Sequence, residues 1–197
     1  MDNHENQIGL DNVSGEAAAM AAKPGYKSEI YDWLQCVVSA LLFCILFFVF
    51  VARIIGVVGT SMMPTLENGD RVFISNAFYE PRNGDIVVFR KEAFRREPLV
   101  KRVIAVGGQE VDIDFENGIV TVDGKILQED YIADLTRTRL NFAGPLTVPE
   151  GQLFVMGDNR NDSLDSRYTS IGLVDERYIM GKVYFVVMPF SNMKKVG

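Results

Sequence analysis

The chain has 197 residues, with 20 Lys and Arg against 26 Asp and Glu for a net charge of −6, and 48% hydrophobic against 23% charged residues. That balance excludes wholesale disorder, and an acidic chain lacks the positive field of nucleic-acid binders, so no nucleic-acid partner is expected. The one histidine, His4, lies in a polar N-terminal stretch and the two cysteines, Cys36 and Cys44, in an apolar run, which excludes a Ser-His-Asp triad, a multi-histidine zinc site, a disulfide framework and a cysteine nucleophile in a folded domain.

Residues 1–33 are polar, dotted with Ala and Gly, and without apolar periodicity; they read as a disordered tail. Leu34 to Ala52, LQCVVSALLFCILFFVFVA, carries no charge over 19 residues. As a helix it is about 28 Å long, close to the hydrocarbon thickness of a bilayer. Phe, Leu and Val on every face argue against a buried core helix. The run is longer than a signal-peptide core and lacks a small-residue exit site, so it is expected to be an uncleaved transmembrane anchor over 34–52. Lys23 and Lys27 on one side match Arg53 and Arg71 on the other, so flanking charge leaves the orientation open.

Residues 53–197 are long enough to bury an independent core, and their pattern is β. RVFIS (71–75), DIVVFR (85–90), LVKRVIAV (99–106), QLFVM (152–156) and KVYFVVM (182–188) are short β-branched or aromatic runs bounded by turn residues. EVDIDF alternates strictly; Asn117-Gly118 then turns into IVTVD, and Asp123-Gly124 turns into KILQ. These are hairpin signals, and they predict an antiparallel meander with one solvated face. The expected fold is mainly β, an antiparallel sheet domain preceded by one transmembrane helix.

With histidine and cysteine excluded, chemistry falls to hydroxyls, lysines and carboxylates. Ser61 lies in GTSMMPTLENGD, where Gly59 frees the backbone before it and Pro64 restricts it after. Alone it reads as a structural turn serine. A serine nucleophile needs a base, and Lys101 sits in a run that otherwise reads as a buried strand. By period two Leu99, Lys101, Val103 and Ala105 share one face; the plain alternative is an edge-strand lysine whose ammonium reaches solvent. An unperturbed lysine is only about 0.04% deprotonated at pH 7, and burial raises that fraction. GDNRNDSLDSR (157–167) is dense in hydrogen-bonding groups. It fails as a calcium loop, having Ser163 at the sixth position and Thr169 at the twelfth. Arg160 and Arg167 make ion pairs with Asp158, Asp162 or Asp165 a better expectation than a shared proton.

The order of these motifs resembles the type I signal peptidases: Ser61–Leu66 just after a span, then Gly84–Phe89, Lys101–Gly107 and Gly157–Arg167, over about residues 56–188. The resemblance implies a membrane-bound serine endopeptidase that removes signal peptides from exported preproteins after Ala-x-Ala-type sites, through an acyl-enzyme and without metal or cofactor. Ser61 matches the nucleophile, Lys101 the general base, Ser163 the hydroxyl that orients that lysine, and Asp165 and Arg167 a pair that braces the site. Met62, Leu66, Val88, Leu99 and Val100 fall where the family lines its substrate groove. The expected partners are secretory preproteins and the lipid bilayer. The small single-span form implies a bacterial cytoplasmic-membrane protein whose domain faces outward. One departure is Gly59, where some members carry a hydroxyl that helps stabilise the oxyanion; Ser61 N–H remains a donor there, and Thr60 is no safe substitute. Self-cleaving repressors use the same dyad but need a DNA-binding domain where this chain has a tail and a span. A non-catalytic tethered β domain should have lost Ser61, Lys101 or Asp165, and all three are present.

Overall fold

A computed structural model describes residues 26–50, 53–91 and 95–196. The expected tail over 1–25 and the last two residues of the expected span, 51 and 52, lie outside the described residues. The chain divides into two compact units, Met1–Ile45 and Leu46–Gly197.

The helix α1 spans Tyr26–Phe50, so it opens eight residues before the apolar run and includes residues 26–33, which were expected in the tail. The uncharged run reports membrane thickness, whereas the helix continues through polar residues that contain no breaker; Glu29 in its first turn complements the helix dipole. Its 20 residues Glu29–Phe48 have a mean hydropathy of 1.9 and none is buried. It is a helix long and apolar enough to cross a membrane.

Beyond α1 the described chain is mainly β, with two short 3-10 helices at Glu176–Tyr178 and Phe190–Asn192. Its strands are β1 (Arg53–Gly56), β2 (Arg71–Ser75), β3 (Ile86–Lys91), β4 (Arg95–Val106), β5 (Glu110–Asp114), β6 (Ile119–Val122), β7 (Lys125–Ile126), β8 (Leu146–Thr147), β9 (Gln152–Met156), β10 (Val174–Asp175), β11 (Ile179–Met188) and β12 (Lys194–Lys195). The larger sheet runs β1-β2-β11-β3-β4-β9-β10 with β12 on β11, and the smaller runs β7-β6-β5-β8. Every pairing is antiparallel. The smaller sheet is the expected meander: Val111 and Ile113 of β5 and Val120 and Val122 of β6 point inward between more exposed neighbours. Asp123 and Gly124, both at positive φ (51° and 71°), make the tight turn into β7.

The four strands absent from the sequence reading, β1, β8, β10 and β12, are two to four residues long, too short for alternation to be read. β4 and β11 each begin earlier than expected. The shared face proposed for Leu99, Lys101, Val103 and Ala105 holds only in part. The register of β4 against β9 shifts between Val103 and Ala105, and this bulge turns the later side chain over. Ala105 therefore packs with Ile104, Val111 and Phe154, while Leu99 and Val103 pack with Val87 and Phe89. A third cluster, with Val72, Ile74, Ile86, Val88 and Val183 at its centre, carries the turn that bears Ser61.

Candidate active site

The Ser61 turn is pinned by its own apolar residues. Leu66 N–H donates to Met62 C=O at 2.9 Å and Met63 N–H to Thr60 C=O at 3.0 Å, a helical turn that puts Met62 and Leu66 on one side four positions apart. Both sit in the core, at 2% and 0% exposure. Ser61, directly before the first of these anchors in the chain, is left at the surface of a cleft of about 640 Å³. One wall is β1 and the segment after it, Ile55 to Val58; the other is the first half of β4, Glu97 to Lys101; Asp162 and Leu164 complete the lining.

Lys101 enters this cleft from β4, where it pairs with Val87 of β3. It is 3% exposed. Its Nζ lies 2.6 Å from Ser61 Oγ and donates to Val100 C=O at 3.0 Å. The same 2.6 Å contact in the opposite sense, hydroxyl donating to a neutral amine, is the arrangement a base requires. Ser61 N–H donates to no group among the described residues, so it is open to an incoming oxygen. Gly59 N–H is taken by Asn68 Oδ1 at 2.9 Å and the Thr60 hydroxyl by Asp162 Oδ2 at 2.8 Å.

The 157–167 loop returns beneath the nucleophile. Asn159 donates from its backbone to Ser61 C=O at 3.1 Å and from its side chain to Thr60 C=O at 3.2 Å. Gly157 is squeezed at that crossing: a Cβ there would lie 2.3 Å from Ser163 Oγ and 2.4 Å from Ser61 C=O, so only glycine fits. Asp165 and Arg167 are both fully buried and joined through two oxygens, each 2.8 Å from the guanidinium. Asp165 also accepts from Gly157 N–H at 3.0 Å, and Arg167 donates to Arg160 C=O and Thr138 C=O. This pair therefore fixes the turn that touches Ser61.

Two expectations need correction. Ser163 Oγ is buried and has no hydrogen-bond partner among the described residues, so the expected bond to Lys101 is not made; Lys101 instead turns to Val100 C=O and Ser61. Of the groove residues, Met62, Leu99 and Val100 line the cleft, whereas Leu66 and Val88 do not. Both are fully buried in the core, Leu66 on the inward side of its turn and Val88 on an interior strand. The β1 wall was absent from the sequence reading.

The ion pairing differs in part: Arg167 pairs with Asp165 as expected, but Asp158 and Arg160 find their partners outside the loop. Asp158 pairs with Arg102, Nε to Oδ1 at 2.7 Å and Nη2 to Oδ2 at 2.6 Å, and accepts from Thr65 Oγ1 at 2.5 Å. Strand β4 is thereby tied to the Ser61 turn through one carboxylate. Tyr131 stacks on Arg102, with the guanidinium 3.8 Å from the ring centre. Arg160 pairs with Glu129. Burial opposes the charge on Arg160, but the hydrogen bond and charge of Glu129 outweigh it and hold the guanidinium above its ordinary value. One signal for this network was legible: Arg102, a second cation in a buried strand, requires a partner.

The chain matches the family model described as signal peptidase, peptidase S26, over residues 30–188. It is 38% identical to a probable signal peptidase I-1 of a Synechocystis species, with 85% of this chain and 87% of that one covered. It is 33% identical to a signal peptidase I of Bacillus licheniformis, over 86% of this chain and 94% of the other. A solved signal peptidase I from Enterococcus faecalis aligns with a TM-score of 0.43 at 30% identity, covering 53% of this chain and 97% of that one.

Proposed function

Because the chain belongs to the signal peptidase family, peptidase S26, whose members are serine peptidases that remove signal peptides, we propose that Ser61 and Lys101 are its catalytic dyad, nucleophile and general base. The observation that carries this is the 2.6 Å separation of Lys101 Nζ and Ser61 Oγ at the cleft, with the lysine only 3% exposed. An amine so buried is favoured in its neutral form.

Neutral Lys101 takes the Ser61 proton as Oγ bonds to the scissile carbonyl carbon. The oxyanion is met by Ser61 N–H; the Thr60 hydroxyl, already donated to Asp162, takes no part. The C–N bond breaks as Lys101 returns the proton to the leaving amine. Lys101 then deprotonates a water that attacks the ester, and the released Oγ takes the proton back. The precursor lies extended in the cleft between β1 and β4, a strand-addition mode, and the walls of Val57, Met62, Leu99 and Val100 restrict the residues one and three before the cut to small side chains. Asp165 and Arg167 hold the turn at Gly157 under the nucleophile, and Ser163 lines that turn.

The helix α1 (Tyr26–Phe50) anchors the chain as a single span, and residues 53–197 form the peptidase domain on the outer side of a bacterial cytoplasmic membrane. Ser61 follows Ala52 by nine positions, a tether that keeps the nucleophile where precursors are held by their own apolar segments. The test is cleavage of a precursor carrying an Ala-x-Ala site by the detergent-solubilised full chain and its Ser61→Ala variant, with the product weighed. The wild type should cut after the second Ala and the variant should not; equal cutting by both would remove Ser61 from the mechanism.

A further inference from the structure

The loop Gly157–Arg167 carries three aspartates, and they stand in contrasting surroundings. Asp158 and Asp165 are fully buried and paired with Arg102 and Arg167. Asp162 is exposed, lines the cleft, and among the described residues accepts only the Thr60 hydroxyl. It has no ion pair among the described residues, since the loop's two arginines are already committed to Glu129 and Asp165. Among the described residues, the other charged groups lining the cleft are Glu97 and the buried Lys101.

Asp162 touches the residue directly before Ser61. Covalent geometry puts its carboxylate within about 11 Å of Ser61 Oγ, or about three residues of extended peptide. With no ion pair to it among the described residues, a carboxylate at that distance opposes the developing oxyanion, whatever the substrate. It also attracts a cationic side chain and repels an anionic one on any peptide lying in the cleft.

We propose that Asp162 makes this enzyme select among precursors by charge beside the cut, favouring Lys or Arg over Glu or Asp. The inference rests on the Ser61/Lys101 reading of the cleft and adds to it a preference independent of the small residues at the cut.

The test uses the detergent-solubilised full chain and precursors with one Ala-x-Ala site. Lys, Gln or Glu is placed in turn two residues before the cut, one after it and two after it. At one of these positions the wild type should show kcat/KM about tenfold higher for Lys than for Glu, a ratio that shrinks in about 0.5 M salt. Asp162→Asn, which keeps an acceptor for Thr60, should bring the ratio near one, and Asp162→Lys should invert it. Glu97→Gln should leave the ratio at that position in place. A wild-type ratio near one at all three positions overturns the proposal, as does a ratio unchanged in Asp162→Lys. The Gln precursors separate the two levels: if they are cut by the wild type and not by Ser61→Ala, the dyad stands whatever the charge ratio. If the wild type cuts none of them, the dyad reading fails and the charge preference falls with it.

Discussion

Lys101 is the residue whose role depends most on its surroundings. On an exposed edge it would stay protonated; at 3% exposure, with its amine held between Ser61 Oγ and Val100 C=O, it has little solvent to stabilise a charge. Lys101→Met fills the same space without the amine and should lower kcat by about 10³-fold while far-UV circular dichroism stays unchanged. The wild-type rate should rise with pH along a limb below the ordinary lysine value of about 10.4. Turnover retained in Lys101→Met, or a limb at the ordinary value, would count against the amine as base. The strand and its one internal lysine were legible in the sequence. That the amine points at Ser61, 40 positions away, came from resemblance alone, because no local pattern encodes which loop a strand faces.

At the scale of elements, β4 and the 157–167 loop act as one brace. Arg102 ties β4 to Asp158, Asp158 ties the loop to Thr65 in the Ser61 turn, and Tyr131 covers the guanidinium from the β7–β8 connection. Arg102→Met leaves the Asp158 carboxylate buried without its cation, and should destabilise the protein by about 3–5 kcal/mol. Adding Asp158→Asn to that variant removes the stranded charge, so the double variant should lose less than the sum of the two single losses. Denaturant unfolding of all four forms measures this; simple additivity would mean that the two residues do not act as a pair. The sequence showed the Asp165–Arg167 pair but misassigned Asp158, because Arg160 and Arg167 are nearer to it along the chain than Arg102, which is nearer in space.

The whole molecule sets a limit at alkaline pH. Burial raises the Tyr79 phenol above its ordinary range, reinforced by its hydrogen bond to Asp85, and burial followed by the Glu129 charge raises Tyr131. Both folded-state values lie above the unfolded value of about 10, so the stability they contribute is complete below pH 10 and is lost as pH rises above it. Absorbance at 295 nm should therefore show at least two of the seven tyrosines ionising only together with the loss of the fold. All seven titrating near pH 10 with circular dichroism intact would contradict this.

Hydropathy, alternation and turn chemistry are local properties, and the sequence by itself determined what depends on them: one apolar helix able to cross a membrane, a mainly antiparallel β domain, the hairpins at Asn117-Gly118 and Asp123-Gly124, and the order of the motifs. Strand register, bulges and edge pairing arise between distant segments, and only the tertiary structure decided what depends on those. It set β1 opposite β4 to make the cleft, sent Leu66 and Val88 into the core, and turned Ala105 away from the face of Val103. It buried Asp158 and Asp165 against arginines from β4 and from their own loop, and left Asp162, one of three aspartates in a single loop, facing the cleft. Chemically identical carboxylates differ in role according to which cations the fold brings within reach.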